Sequence, residues 1–269
     1  MKTQSFRRAM TIAVPAAFVV AFGWFLLIGN QKTPAYHGKP LRFWLECLVA
    51  RNPPPPGHTV MLDYKTASDA IRSMGTNAIP VLLRMLRTTN SWSRIELGSL
   101  RQPRELVRIH RIPASELNAE AAFGFQCLQE KAQSAVPEII RIYESGRSPA
   151  SEQWASYALG AIGPAARLAV PSLLRGATNA SAQKRKHSLI ALAGMHVESE
   201  ATVAALTNAF RDRDPEVRLW ACNRFGLLGT EARDAQASAR SAVDALLKDP
   251  DARVSQEAAA VARKLEPLK

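Results

Sequence analysis

The side chains best placed to do chemistry are arginines. Arg101, Arg104, Arg108 and Arg111 follow one another at intervals of 3, 4 and 3. A helix opening at Pro103 would carry Arg104, Arg108 and Arg111 on one face, with Arg101 just before it. Leu106, Val107, Ile109 and Ile112 would pack the other side. Such a face grips carboxylates, phosphates or anionic headgroups. The plain reading is the solvated face of an ordinary extra helix. A second basic cluster, Lys184-Arg185-Lys186, stands at a predicted helix start. Cations there oppose the helix dipole at a cost of a few tenths of a kcal/mol, roughly. The plain reading is a solvated charge run, and the sharper one is a contact for a partner.

Patterns for catalysis do not accompany these arginines. There is no G-x-S-x-G, no phosphate loop, no dinucleotide fingerprint and no H-E-x-x-H. The sequence therefore reads as a non-enzyme with no cofactor and no evident small-molecule substrate. His37, His58, His110, His187 and His196 form no ligand pair at helical spacing. Cys47, Cys127 and Cys222 lie 80 and 95 residues apart without a C-x-x-C, which argues against a structural zinc site. They read as small buried apolar residues; a disulfide between distant segments stays open, and an odd count leaves at least one thiol free. Asn179-Ala180-Ser181 fits a glycosylation sequon, and Ser181 serves equally well as a helix cap.

The 269 residues carry 35 Lys+Arg against 23 Asp+Glu, a net charge of +12. At 47% hydrophobic and 22% charged, the composition is that of a folding chain. The excess charge invites a nucleic-acid reading, but the cations are spread along the chain and mixed with acids, so no dedicated basic stripe is evident. Seventeen prolines argue against one long coiled coil.

Residues 1–10 carry Lys2, Arg7 and Arg8 and no acid, and residues 11–29 carry no charge. That uncharged run would make roughly 28 Å of helix, close to the hydrocarbon thickness of about 30 Å. The basic flank places the N-terminus in the cytoplasm and the remainder across the membrane. An uncleaved anchor is the leading reading, because cleaved signals have shorter apolar cores. The alternative is cleavage near Thr33-Pro34-Ala35 and release as a periplasmic or secreted protein. Either route keeps the remainder away from nucleic acid.

The elements that position all these residues repeat. Trp154, His187 and Trp220 stand 33 apart, as do Ala158, Ala191 and Arg224, and Ile162, Met195 and Leu228. Val136-Pro137 precedes Val170-Pro171 by 34. Each unit reads as two helices. The first carries a stripe such as Ala155, Ala158, Leu159 and Ile162, closed by Gly163. The second opens at a proline in its first turn, as at Pro171. Five pairs are expected, at 66–88, 118–145, 150–177, 181–212 and 214–248, with a capping helix near 251–265. The stripe Val254, Ala258, Val261 and Leu265 marks that last helix. The motifs Asp214-Pro215-Glu216-Val217-Arg218 and Asp249-Pro250-Asp251-Ala252-Arg253, 35 apart, predict an Asp cap followed by Pro at the first helical position. An insertion at 89–117 breaks the period, and residues 30–65 hold a short helix at Pro40 and the linker Asn52-Pro53-Pro54-Pro55-Pro56-Gly57.

The D-P-x-V-R motif followed by A-V-P-x-L-L resembles HEAT repeats of the phycobilisome-lyase-like type, most closely at residues 70–83. Gly38-Lys39-Pro40-Leu41 with Trp44, Leu45 and Leu48, following an export segment, resembles the opening of exported bacterial HEAT-repeat proteins. The resemblance covers about 36–88 and 118–265 and implies an all-α solenoid. It further implies a bacterial inner-membrane protein, single-pass, with the solenoid facing the periplasm. The expected function is a non-catalytic scaffold that binds a protein partner. The candidate contacts are Arg101, Arg104, Arg108, Arg111, Lys184, Arg185 and Lys186. The alternatives are a basic solenoid binding nucleic acid or another polyanion, and a lyase-like enzyme of the bilin-lyase type, for which no distinctive catalytic residue is present.

Overall fold

The computed structural model describes residues 33–49, 64–89, 92–97, 107–196, 200–227 and 233–265. The expected membrane segment 11–29, its basic flank, the Pro-rich linker, Arg101 and Arg104 lie outside them.

A two-residue turn opens the described chain. β1 (Ala35–Tyr36) pairs antiparallel with β2 (Lys39–Pro40). Between them His37 and Gly38 both have positive φ, 46° and 71°, which is what a tight hairpin of the mirror-image type requires. Helix α1 (Leu41–Val49) follows and lies against α2 (Tyr64–Met74) and α4 (Ala114–Leu128), burying Leu41, Trp44 and Leu45. α1 thus closes the N-terminal end of the stack.

From there the chain winds as helix pairs: α2 with α3 (Ile79–Leu86), α4 with α5 (Val136–Glu144), and α6 (Pro149–Ile162) with α7 (Val170–Ala177). Two more pairs follow, α8 (Ala182–Gly194) with α9 (Glu200–Ala209), and α10 (Pro215–Phe225) with α11 (Arg233–Leu246). Helix α12 (Ala252–Lys264) ends the row alone, with Val254, Ala258 and Val261 buried. The first helices of the pairs pack in one sequential row, α4 on α6, α6 on α8, α8 on α10 and α10 on α12. Small residues permit it: a Cβ at Gly160 would stand 3.0 Å from the Cα of Ala191. This row is called the A layer below.

The sharp bend inside each pair recurs. Gly75, Gln129, Gly163 and His196 all have positive φ at the end of an A-layer helix, at 57°, 50°, 77° and 49°. In the second and third pairs a 3-10 segment follows, at Gln129–Ala135 and Gly163–Ala169, and Pro137 or Pro171 then opens the second helix. One consequence is that Pro149–Ala177, in which an 18-residue stretch reaches a mean hydropathy of 1.2 and would suit a membrane span, is in fact α6 and α7 folded back at Gly163. The apolar core is one seam along the solenoid. α8 gives Ala191, Leu192 and Met195 to its N-terminal part and Leu189 and Ala193 to its C-terminal part.

Two readings of the sequence are corrected. Within the insertion, Val107–Ile112, expected on a helix, is a strand. β3 (Trp92–Leu97) pairs antiparallel with β4 (Val107–Ile112), in register from Trp92 opposite Ile112 to Leu97 opposite Val107. The helical period that would align Arg104, Arg108 and Arg111 is therefore not the period of this backbone, and residues 114–117 already belong to α4. The β-branched residues Val107, Ile109 and Ile112 suit a pleated strand better than a helix. The second correction concerns the repeated Asp-Pro. Asp214 caps α10, accepting from the Glu216 N–H at 2.8 Å, with Pro215 in the first turn. In α12 the cap is Asp251, accepting from the Arg253 N–H at 2.9 Å, and Pro250 precedes the helix. The counterpart of Asp249 is Asp212, 37 residues earlier.

Candidate functional site

Two lines of side chains run across the A layer. One is internal and polar. Asn118 in α4 donates through Nδ2 to the carbonyls of Met85, Leu86 and Thr88 at 2.9, 3.0 and 3.1 Å, tying α4 to the end of α3. Ser151 Oγ, 33 residues on, lies 3.3 Å from the Thr88 carbonyl and 3.4 Å from Asn118 Oδ1. Arg185 and Arg218, 33 apart, continue the line on α8 and α10. Arg185 donates from Nε and Nη2 to the two Asp212 oxygens at 2.7 and 2.6 Å, and from Nη1 to the carbonyls of Asn179 and Ala180 at 2.9 and 3.0 Å. Arg218 repeats the same fork on Asp249. A guanidinium fits this task because its fixed planar donors satisfy a carboxylate and a loop carbonyl together. Burial raises the Asp212 carboxyl, but the bonds from Arg185 and the Asp214 N–H outweigh it and hold it below the usual carboxylate range. The Arg218 bond does the same for Asp249.

This line accounts for the basic cluster at 184–186. Arg185 is only 6% exposed. Lys184 Nζ sits 2.9 Å from Glu152 Oε2 and 4.9 Å over the Tyr143 ring. Lys186 Nζ is 4.0 Å from Glu216 Oε2. All three cations face acids, Lys184 and Lys186 those of the neighbouring repeats and Arg185 the Asp212 that ends its own, which offsets their poor position near the start of α8. Of the arginine set in the insertion, Arg108 and Arg111 fall on β4, while Arg101 and Arg104 lie outside the described residues.

The second line is half-buried and aromatic. Phe123 of α4 and Trp154 and Tyr157 of α6 form a triangle of edge and tilted contacts, with ring centroids 5.6 to 5.7 Å apart. Tyr157 donates its hydroxyl to Gln126 Oε1 at 3.1 Å. His187 of α8 and Trp220 of α10 continue the Trp154 column, Ile190 continues that of Tyr157, and Arg224 stands one turn beyond Trp220 on α10. Burial, helped by the Lys186 charge, pushes His187 down to about 4, so the imidazole is neutral at pH 7. The Arg224 guanidinium lies 5.2 Å over the Trp220 ring. Desolvation lowers its pKa, with Tyr157 opposing the shift. Its Nε is buried without a hydrogen-bond partner, and no ion pair holds it among the described residues. Tyr157 and Arg224 belong to helices separated by α8, yet they are close enough to couple electrostatically, as are Tyr157 and Tyr64. The first helices of successive pairs pack on one another more closely than the second helices do, as on the inner side of a curved stack.

The cysteines take no part. All three are free thiols; Cys127 and Cys222 are buried in the core, and burial pushes Cys222 up to about 12. At that value it is a thiol, not a nucleophile or a metal ligand.

The repeat spacing pointed to the Trp154 column. It missed the line of Asn118, Ser151, Arg185 and Arg218, whose signal is a polar residue recurring within an otherwise apolar stripe. It also missed Arg224 as the guanidinium among the aromatics.

Residues 170–264, from α7 to α12, match the family model described as HEAT repeats. No curated protein matches the chain. Among solved structures, the Escherichia coli protein YibA is similar, with 13% identity over 86% of this chain and 76% of that one, at a TM-score of 0.48. A designed armadillo repeat protein in complex with the peptide (KR)4 shows 16% identity over 84% and 99%, at 0.45. An engineered protein shows 17% identity over 84% and 96%, at 0.44.

Proposed function

We propose that this HEAT-repeat solenoid is a non-catalytic scaffold that binds a protein partner along its A layer. We further propose that residues 11–29 hold it in a bacterial inner membrane with the repeats on the periplasmic side. Stacked repeats of this kind expose long inner surfaces whose chemistry is set one helix at a time. The observation that carries the reading is the half-buried row of Trp154, Tyr157, His187, Trp220 and Arg224 on that surface. Aromatic side chains and arginine dominate the energetics of protein interfaces. The internal pairing of Lys184, Arg185 and Lys186 leaves a polyanion reading little support there. Arg101, Arg104, Arg108 and Arg111 remain in the proposal as a second contact, Arg108 and Arg111 being on β4.

The test is crosslinking and affinity recovery from membranes with the full chain. Trp154→Ala with Trp220→Ala is expected to lose the recovered partner while keeping the wild-type thermal midpoint within a few degrees. Full recovery by that double variant would overturn the reading of the A layer. Arg104, Arg108 and Arg111 changed to Glu test the hairpin contact separately. Protease accessibility in intact and opened cells tests the placement: protection of the repeats until the outer envelope is opened is expected, and protection until the inner membrane is opened would overturn it.

A further inference from the structure

Arg224 singles out what kind of partner segment the A layer takes. We infer that its guanidinium receives the carboxylate of an Asp or Glu side chain in an extended peptide, flanked by an apolar or aromatic residue that packs on Trp220, His187 and Ile190. The inference rests on the A layer being the partner-binding surface.

The charge argument comes first. Arg185, Arg218 and Arg253 each hold an acid, Asp212, Asp249 and the pair Asp251 and Glu216 respectively. Arg224 holds none among the described residues. It lies instead on an aromatic ring, partly desolvated, with Nε buried and unbonded. A cation stripped of water without a compensating anion is costly, and an arriving carboxylate recovers that cost through the outer Nη edge. The chain itself shows the match, since forked guanidinium–carboxylate pairs at 2.6 to 2.8 Å join α8 to Asp212 and α10 to Asp249.

A single cation also decides between anions. A phosphate or a nucleic-acid backbone calls for several cations together. The other cations on this layer are already paired: Arg218 of α10 faces Asp249, and Lys184 and Lys186 of α8 face Glu152 and Glu216. One guanidinium beside Trp220 and Tyr157 suits a monoanion with apolar neighbours.

The experiment passes two peptide libraries over the immobilised full chain in detergent micelles. Each has four randomised positions on either side of a fixed centre, Glu in one and Gln in the other. Expected is about tenfold enrichment of the Glu library, in keeping with a charged hydrogen bond, with aromatic or aliphatic residues selected beside the Glu. Arg224→Gln is expected to erase the Glu preference and Arg224→Lys to retain part of it, with thermal midpoints unchanged. A purely structural arginine would instead lower the midpoint of both variants. Equal retention of both libraries, or an unchanged Glu preference in Arg224→Gln, overturns the inference. So does stronger retention of phosphoserine peptides or oligo(dT) than of the Glu library. If Trp154→Ala with Trp220→Ala loses the partner while Arg224→Gln keeps it, the scaffold reading stands and only the carboxylate inference falls.

Discussion

Arg218 and Asp249, 31 positions apart in the chain, meet through two parallel hydrogen bonds, Nε to Oδ2 at 2.7 Å and Nη2 to Oδ1 at 2.8 Å. The remaining arm of Arg218 donates from Nη1 to the Asp212 carbonyl at 2.8 Å, and Asp212 is itself clasped by Arg185. The two pairs therefore form one chain of bonds, Arg185 to Asp212 to Arg218 to Asp249, linking α8, α10 and the turn before α12. Both pairs are largely screened from water, with side chains 5% to 13% exposed.

Breaking one member leaves an uncompensated charge. Asp249→Asn should cost about 3 kcal/mol in chemical denaturation, as should Arg218→Ala. Both aspartates titrate below their usual range in the fold. Their contribution is present above the unfolded carboxylate pKa, near 4, and is lost as the pH falls through the folded values. The wild type should therefore lose stability below about pH 4 more steeply than Asp249→Asn.

Gly176 has no room for a side chain. A Cβ there would collide with the Tyr143 hydroxyl and with Ser188 Oγ, which are themselves 2.7 Å apart. Gly176→Ala should destabilise by about 2 kcal/mol. Adding Tyr143→Phe removes the atom most in the way, so the double variant should recover part of that loss. A strictly additive double-mutant cycle would contradict this packing.

The bends at Gln129 and His196 are held by residues that favour negative φ. Gln129→Gly and His196→Gly should each stabilise by roughly 1 kcal/mol, and Gly163→Ala at the equivalent bend should destabilise by a similar amount. Denaturation midpoints at constant slope would show it.

His187 is neutral in the fold, with its pKa depressed from 6.5 to about 4. Between those values the unfolded chain binds a proton that the folded chain refuses. Stability therefore rises with pH through this window and is lost as the pH falls from 6.5 toward 4. Allowing for the ring's partial exposure, the effect is on the order of 1 kcal/mol. His187→Phe should flatten the pH dependence of unfolding between pH 4 and 6.5; an unchanged slope would place the effect elsewhere.

The sequence by itself determined the helix pairs, the capping helix and the order of the solenoid. Those rest on local rules: an apolar stripe every three or four residues, a bend after Gly163, a proline in the next first turn. Each is written within about one repeat of chain. Only the tertiary structure decided the rest. Lys184-Arg185-Lys186 looked like a free basic patch because Glu152, Asp212 and Glu216 are distant in sequence and near only once repeats stack. Arg101 to Arg111 read as a helix face because the spacing 3, 4, 3 fits a helical period; pairing with Trp92–Leu97, a long-range contact, made the segment from Val107 a strand. Arg224 occupies a position held by Ala191 and Ala158 in the two preceding repeats, and nothing local marks it. Its isolation from acids, its seat on Trp220 and its approach to Tyr157 are properties of the curve that the stacked helices make.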